Sequence, residues 1–138
     1  MRIIGLDIGE RRIGVAAADD RTRVAIPLTT IAPDGDPVEA IARLAAGQRA
    51  DELVVGLPLS LSGALGPQAQ RVQTLVEALA ARLSIPVRTW DERLSSVEAG
   101  RRQPPAGRRR ARTPDRRDDL AAAIILQAYL DSLPRPAR

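Results

Sequence analysis

Acidic residues at three separated places in the sequence are the side chains that could do chemistry. Asp7 stands inside an apolar run, Asp91 and Glu92 follow another, and Asp118 and Asp119 precede an apolar segment near the C-terminus. A carboxylate in apolar surroundings is costly to desolvate unless it meets a cation or several hydrogen-bond donors. The chain has no histidine and no cysteine, which excludes thiolate nucleophiles, imidazole bases and the usual zinc sites. Any catalysis must therefore depend on carboxylates.

Each acidic position also has an ordinary structural explanation. Asp7 could cap the turn that begins at Gly9, and acids at the start of a helix interact favourably with its dipole. Three acidic positions that converge at one sheet edge would repel one another unless a cation compensates. Oxygen-only ligation selects Mg²⁺ or Mn²⁺, and a pair of such ions suits phosphodiester hydrolysis.

Apolar runs bounded by polar turns define the elements that must position these acids. They predict five strands, at residues 2–8, 13–18, 23–31, 53–57 and 85–90. The first two strands should form a β-hairpin, and Pro27 should place the third at an edge of the sheet. Apolar residues at helical spacing predict a helix from Pro37, with Asp36 as its N-cap, to Gly47, and another over residues 72–83. Hairpin-like strands followed by alternating helix and strand predict an α/β fold with a mixed five-stranded sheet flanked by helices, in one domain of residues 1–138.

The C-terminal third is harder to divide. A short helix is expected from Leu94 to about Arg102, followed by a mobile loop over residues 101–112, which has no apolar period. Thr113 and Pro114 then form an N-cap and first helical position. The final helix is expected to bury a face made of Leu120, Ala121, Ile124, Ile125 and Ala128.

Positive charge is concentrated in one segment. All 21 basic residues are arginine, and residues 101–117 hold eight of them against one acid, Asp115. The remainder has 13 arginines against 16 acids, so it is mildly acidic. Such a localised excess is typical of a polyanion-binding surface, although a solvated charge run or genomic base composition could also produce it. Trp90 and Tyr129 are the only aromatic residues, too few for a base-stacking platform.

Other features bear on location and on nucleotide binding. Nothing at the N-terminus resembles a signal peptide, and no apolar stretch approaches the roughly 18 residues of a membrane span, which predicts a cytoplasmic protein without membrane contact. The loop of residues 56–63 lacks the Gly-Lys-Ser/Thr ending of a P-loop. Its serines, Ser60 and Ser62, could contact phosphate or serve only the turn.

Four motifs in order resemble one known family. They are Asp7-Ile8-Gly9 with Ile13-Gly14-Val15-Ala16, then Val55-Gly56-Leu57-Pro58 with Gly63, then Asp91-Glu92-Arg93-Leu94-Ser95-Ser96, and Asp118 followed by Ala121-Ala122 and Ile125-Leu126. Over nearly its whole length the chain is similar to the YqgF type, also called RuvX, in the RuvC-like branch of the ribonuclease H-like superfamily.

The resemblance implies a set of roles. Asp7, Glu92 and Asp118 correspond to the family's acidic, metal-binding and catalytic set, which suggests two Mg²⁺ or Mn²⁺ ions. Supporting positions are expected at Gly9, Asp91, Ser95 and Asp119. Nucleic-acid contacts are expected from Arg93, Arg108, Arg109, Arg110 and Arg112.

The family is described as a nuclease that matures the 5′ end of pre-16S rRNA and as related to Holliday junction resolvases. The resemblance therefore implies a metal-dependent nuclease on structured nucleic acid, with RNA favoured and a DNA junction possible. A junction resolvase would act as a symmetric dimer, and the chain is expected to be a monomer or a homodimer. A non-catalytic rRNA-binding assembly factor is a further alternative. Actin-like kinases share the superfamily fold but close two such domains around a nucleotide, and this chain holds one.

Overall fold

One mixed five-stranded sheet organises the part of the chain that the structure describes. The structure is a computed structural model, and the described residues are 1–32, 35–95 and 118–134. The strands are β1 Arg2–Ile8, β2 Ile13–Asp19, β3 Ile26–Ile31, β4 Glu52–Leu57 and β5 Val87–Asp91. Their order in the sheet is β3-β2-β1-β4-β5, with antiparallel pairing among the first three and parallel pairing of β1 with β4 and of β4 with β5. The predicted fold class is confirmed.

The first two strands form the expected hairpin. Ile8 pairs with Ile13, and the turn between them is closed by a hydrogen bond of 2.9 Å from the Gly9 amide to the Arg12 carbonyl. β3 is an edge strand, as Pro27 predicts, because a proline has no amide hydrogen to donate to a further strand.

The third strand begins later than predicted, at Ile26 and not at residue 23. Arg23 has a left-handed backbone, with φ of 58°, which ends any extended run there. Its guanidinium donates to the carbonyls of Leu130 and Leu133, at 2.6 and 3.0 Å. Arg23 therefore binds carbonyls at the end of the last helix and does not extend β3.

Helices cover both faces of the sheet. They are α1 Pro37–Gly47, α2 Pro67–Arg82 and α3 Asp118–Ser132, and a 3-10 turn, Glu92–Leu94, follows β5. Asp36 caps α1 as predicted, since its carboxylate accepts from the amides of Val38 and Glu39. The turn replaces the start of the helix predicted from Leu94; the rest of that helix, the loop over 101–112 and the Thr113–Pro114 cap lie outside the described residues.

Alternation along the strands divides the core into two layers. One layer packs α1 and α2 against one face, with Ile4, Leu6, Val15 and Val55 among its buried residues. The other packs α3 against the opposite face, and β1 contributes Ile3 to it. Because side chains alternate, odd-numbered residues of β1 point toward α3.

The face that α3 buries agrees with the prediction at Ile125 and differs from it elsewhere. Its buried residues are Ala122, Ala123, Ile125, Leu126 and Leu130, whereas Leu120 is 43% exposed. Apolar residues occur almost all around this helix, so the helical period alone could not select a face.

No helix among the described residues is long and apolar enough to cross a membrane.

Candidate active site

Asp7 lies near the carboxyl end of β1 on the face covered by α3. Its exposed fraction is 3%, which is unusual for a carboxylate. The neighbouring odd position, Gly5, confirms the direction, because a Cβ atom there would lie 2.8 Å from the Cβ atom of Leu126 in α3. The backbone of β1 therefore presents a buried acid to the space near the start of α3.

Asp118 is brought beside Asp7 by a glycine. Gly14 of β2 pairs with Asp7 across the hairpin, and a Cβ atom at Gly14 would lie 1.9 Å from the Asp118 carbonyl oxygen. Only glycine lets the helix start come so close to the sheet. Asp118 thus begins α3 directly over the strand next to Asp7.

Glu92 reaches the same face from the other side. Its side chain is 1% exposed and lies over Gly56 of β4, where a Cβ atom would be 2.8 Å from Glu92 Oε2 and 3.1 Å from its Cγ atom. Leu6 of β1 pairs with Val55, so Gly56 is level with Asp7 on the adjacent strand. Adjacent strands lie about 4.8 Å apart. Asp7 on β1, Glu92 over Gly56 and Asp118 over Gly14 therefore lie at neighbouring positions on one face of the sheet, near the carboxyl end of β1.

Proximity along the sheet edge does not amount to a formed ion site. Within the described ranges, no three acidic side chains lie close enough together to hold one metal ion. The Asp118 carboxylate faces a cation of the protein itself, with Oδ2 3.3 Å from Arg12 Nε. Arg12 belongs to the hairpin turn and was not singled out from the sequence, although its position three residues after Gly9 puts it at the predicted edge.

The supporting residues hold the local backbone. A Cβ atom at Gly9 would lie 2.7 Å from the Arg12 carbonyl oxygen, so this tight turn requires glycine. The Ser95 hydroxyl and amide both donate to the Glu92 carbonyl, at 3.0 and 3.1 Å, and close the 3-10 turn. The Asp119 carboxylate accepts from the Leu120 amide at 2.9 Å.

Asp91 and Arg93 form an ion pair on either side of Glu92. Arg93 Nη2 lies 2.5 Å from Asp91 Oδ2, and Arg93 Nε donates to both carboxylate oxygens at 3.0 Å. The hydrogen bond from Arg93 holds the pKa of Asp91 below its usual value, against the opposing effect of burial. Arg93, predicted to contact nucleic acid, is thus bonded within the protein.

The other residues considered as phosphate contacts are the loop serines, Ser60 and Ser62, and the arginines of residues 101–117. Ser60 accepts from the Ala64 amide at 3.1 Å and lies 3.0 Å from the Ser62 hydroxyl, so both serines serve the turn. Arg108, Arg109, Arg110 and Arg112 lie outside the described residues.

Gly14, Gly56 and Arg12 contact the candidate acids and were not among the predicted site residues. Gly14 and Gly56 stood inside the quoted motifs, but their role as contact points for Asp118 and Glu92 was not foreseen. A glycine in a strand interior is the available signal, because it often marks a close approach of other atoms.

The fold is that of a ribonuclease H-like α/β protein and is similar to the fold of RuvC. RuvC of Thermus thermophilus, solved in complex with a Holliday junction substrate, superposes with a TM-score of 0.56 at 15% sequence identity, covering 94% of this chain and 93% of that chain. The likeness at this identity concerns the fold.

The family is defined by sequence. The family model RuvX, described as Holliday junction resolvase, matches residues 1–132. A relative from Chloroflexus aggregans, named "Putative pre-16S rRNA nuclease", is 48% identical over 97% of this chain and 96% of its own length. One of the same name from Pelotomaculum thermopropionicum is 42% identical over 100% of this chain and 92% of its own length. The chain belongs to the RuvX family.

Proposed function

We propose that this chain is a metal-dependent nuclease that hydrolyses phosphodiester bonds in nucleic acid. The observation that carries the proposal is the alignment of Asp7, Glu92 and Asp118 on one face at the edge of the sheet, with two of them almost wholly buried. Carboxylates are the only groups of the chain suited to such catalysis, because histidine and cysteine are absent from its sequence. The names carried by its relatives agree with this activity.

The acids at this edge fit a hard divalent cation. The side chains are oxygen donors, and Mg²⁺ and Mn²⁺ prefer such ligands. Asp7, Glu92 and Asp118 would hold the metal, and we propose two ions. Such ions activate water and stabilise a leaving oxygen. The ion would share the Asp118 carboxylate with Arg12 or replace Arg12 there.

The substrate we propose is precursor 16S rRNA, cut at its 5′ end in the cytoplasm. The support comes from the names of the relatives. Their matches span 97% and 100% of this chain and 96% and 92% of their own length. The arginine segment, with Arg108, Arg109, Arg110 and Arg112, would bind the phosphates of the folded RNA. One domain of residues 1–138 would carry both functions.

A second candidate is a Holliday junction resolvase. The description of the family model and the fold of RuvC favour it. A resolvase must present two active sites to a four-way junction, so this function would need a homodimer. The first candidate has no such requirement and is compatible with a monomer.

Cleavage of matched substrates distinguishes these candidates. A precursor 16S 5′ leader and a four-way DNA junction, both end-labelled, are incubated with Mg²⁺, Mn²⁺ or chelator. We expect metal-dependent cutting of the RNA, and we expect Asp7→Asn to reduce it to background because the central carboxylate loses its charge. Asp20→Asn is the matched control, since Asp20 pairs with the N-terminal amine at the opposite edge of the sheet.

Each other result has a definite meaning. Junction cutting in place of RNA cutting would establish the resolvase. Equal cutting by Asp7→Asn would contradict the proposed site. Tight RNA binding without cleavage by the wild-type protein would identify a non-catalytic assembly factor.

A further inference from the structure

The loop between β4 and α2 is tied to the turn that carries Glu92. Arg93 Nη1 donates to the Leu61 carbonyl at 3.2 Å, and the guanidinium lies against Gly63, whose φ is 90°. A Cβ atom at Gly63 would be 3.4 Å from Arg93 Nη1. The loop is thus joined to Arg93 both through its backbone carbonyl and by direct packing on a glycine.

The same loop is closed upon itself. The Gly63 amide donates to the Ser60 carbonyl at 2.8 Å, and the Ser60 amide donates to the Ala64 carbonyl at 3.1 Å. The Ala64 amide adds a bond to the Ser60 hydroxyl. Residues 60–64 therefore form a turn with its own hydrogen bonds, and the contacts of Arg93 with Leu61 and Gly63 bear on this turn as a whole.

Asp91 fixes the other end of this tether. Its Oδ1 atom accepts from the Arg93 amide at 2.9 Å, which caps the 3-10 turn, and its carboxylate also holds the Arg93 side chain. Glu92 lies between the two residues and turns inward over Gly56. The loop, the ion pair and the buried acid thus share one turn of backbone.

We propose that Asp91 and Arg93 form a latch that positions the loop of residues 58–66 beside Glu92. In this role Arg93 is a positioning residue and does not contact the phosphates of the substrate. Nε and one N–H of each of Nη1 and Nη2 donate within the protein, so three of the five guanidinium donors already hold the side chain between the Asp91 carboxylate and the Leu61 carbonyl. The loop tip, where Leu61 is 72% exposed, is held at the rim of the site. The latch rests on the proposed nuclease function.

Two substitutions separate positioning from phosphate contact. Asp91→Asn keeps an oxygen that can cap the turn but removes the charge that holds Arg93. Arg93→Met keeps an unbranched stem and removes every donor. We expect each to lower kcat about tenfold or more, because small displacements near a reacting group have effects of this size. The double variant should be no slower than either single variant, since both break the same tether.

The affinity for RNA distinguishes a positioning role of Arg93 from a direct contact with phosphate. Under the latch, the Kd for RNA and its salt dependence stay at wild-type values in both variants. If Arg93 instead contacts a phosphate, Arg93→Met should reduce the slope of log K against log salt by about 0.7 to 0.9, and Asp91→Asn should leave kcat unchanged. That pattern would overturn the latch.

Hydrogen exchange tests the latch without any cleavage. In the free protein, the amides of Ser60, Gly63 and Ala64 should exchange about tenfold faster or more in both variants, because the loop opens locally. Glu39→Gln is the control, since it breaks the similar ion pair between Glu39 and Arg82 away from the loop. Unchanged loop exchange would overturn the latch. A wild-type protein that cleaves nothing would contradict the proposed function and leave the exchange result to decide on the latch.

Discussion

At the scale of single residues, Glu92 can lie against the sheet because Gly56 has no side chain. A Cβ atom at Gly56 would lie 2.8 Å from Glu92 Oε2 and 2.7 Å from Ile125 Cδ1. Both contacts are with the ends of side chains, which can move, whereas the contact at Gly14 is with the backbone of Asp118. Gly56 is therefore the better position at which to displace a functional group while keeping the fold.

We predict that Gly56→Ala impairs activity more than stability. The methyl group should push Glu92 aside, so kcat for RNA cleavage should fall about tenfold or more. The cost of overpacking should be about 1–3 kcal/mol in the free energy of unfolding, measured with urea. Gly47→Ala is the control, because a Cβ atom there meets nothing within 4 Å. A fully active Gly56→Ala protein would argue against a catalytic role for Glu92.

At the scale of elements, α3 is fastened to the sheet by a buried acid at the edge opposite the site. Glu52 of β4 is 4% exposed, and its Oε2 atom accepts from the Tyr129 hydroxyl and from Arg88 Nε, both at 2.6 Å. Trp90 meets the Tyr129 ring edge to face, with centroids 6.0 Å apart. Since Asp118 begins the same helix, this contact helps to hold the helix along its length.

We predict that Tyr129→Phe destabilises the protein by about 1–3 kcal/mol, because the buried Glu52 carboxylate loses a donor. The measurement is the free energy of unfolding in urea. Thr74→Val is the control, since it removes a hydroxyl that donates to the Gln70 carbonyl on the exposed side of α2. A loss no greater than that of the control would show that Arg88 alone satisfies Glu52.

The same tyrosine predicts a loss of stability in alkali. Burial and the hydrogen bond to Glu52 raise the pKa of Tyr129 from 10.0 to about 12. Because the pKa of the hydroxyl is higher in the folded state than in the unfolded state, the protonated hydroxyl contributes to stability and its ionisation opposes folding. This contribution is complete below pH 10 and is lost as the pH rises toward about 12. Tyr129→Phe should lack this component of the alkaline loss.

At the scale of the whole molecule, positive charge and candidate catalytic groups belong to different segments. Eight arginines fall in residues 101–117, while the acids of the site come from β1, the turn after β5 and the start of α3. Such a division suggests that substrate affinity and the chemical step can be altered separately. Phosphate contacts of this kind contribute affinity without sequence preference.

We predict that changing Arg108, Arg109, Arg110 and Arg112 together to glutamine weakens RNA binding and leaves kcat at saturation near the wild-type value. The slope of log K against log salt should fall by about three, because each lost phosphate contact removes about 0.7 to 0.9. The matched control changes an equal number of exposed arginines elsewhere, namely Arg21, Arg43, Arg49 and Arg82. An equal loss of slope in the control would mean that binding follows net charge and has no preferred segment.

The order and type of the elements could be predicted because their signals are local. The hairpin, the cap at Asp36 and the edge position of Pro27 each depend on the properties of a few adjacent residues. The three acidic candidates were also recognisable, since Asp7 stands inside an apolar run, Glu92 follows one and Asp118 precedes one, and the chain has no histidine or cysteine.

Contacts between residues far apart in the chain determine the features that the sequence did not predict. The buried face of α3 was mispredicted because that helix is apolar almost all around, and only packing on the sheet selects Ala122, Leu126 and Leu130. The contact of Arg93 with the Leu61 carbonyl was likewise not predicted, since the two residues are far apart in the chain. Close approach at Gly14 and Gly56 depends on residues far away in the chain. Local patterns therefore specify the elements and the candidate acids, whereas three-dimensional packing determines which side chains meet.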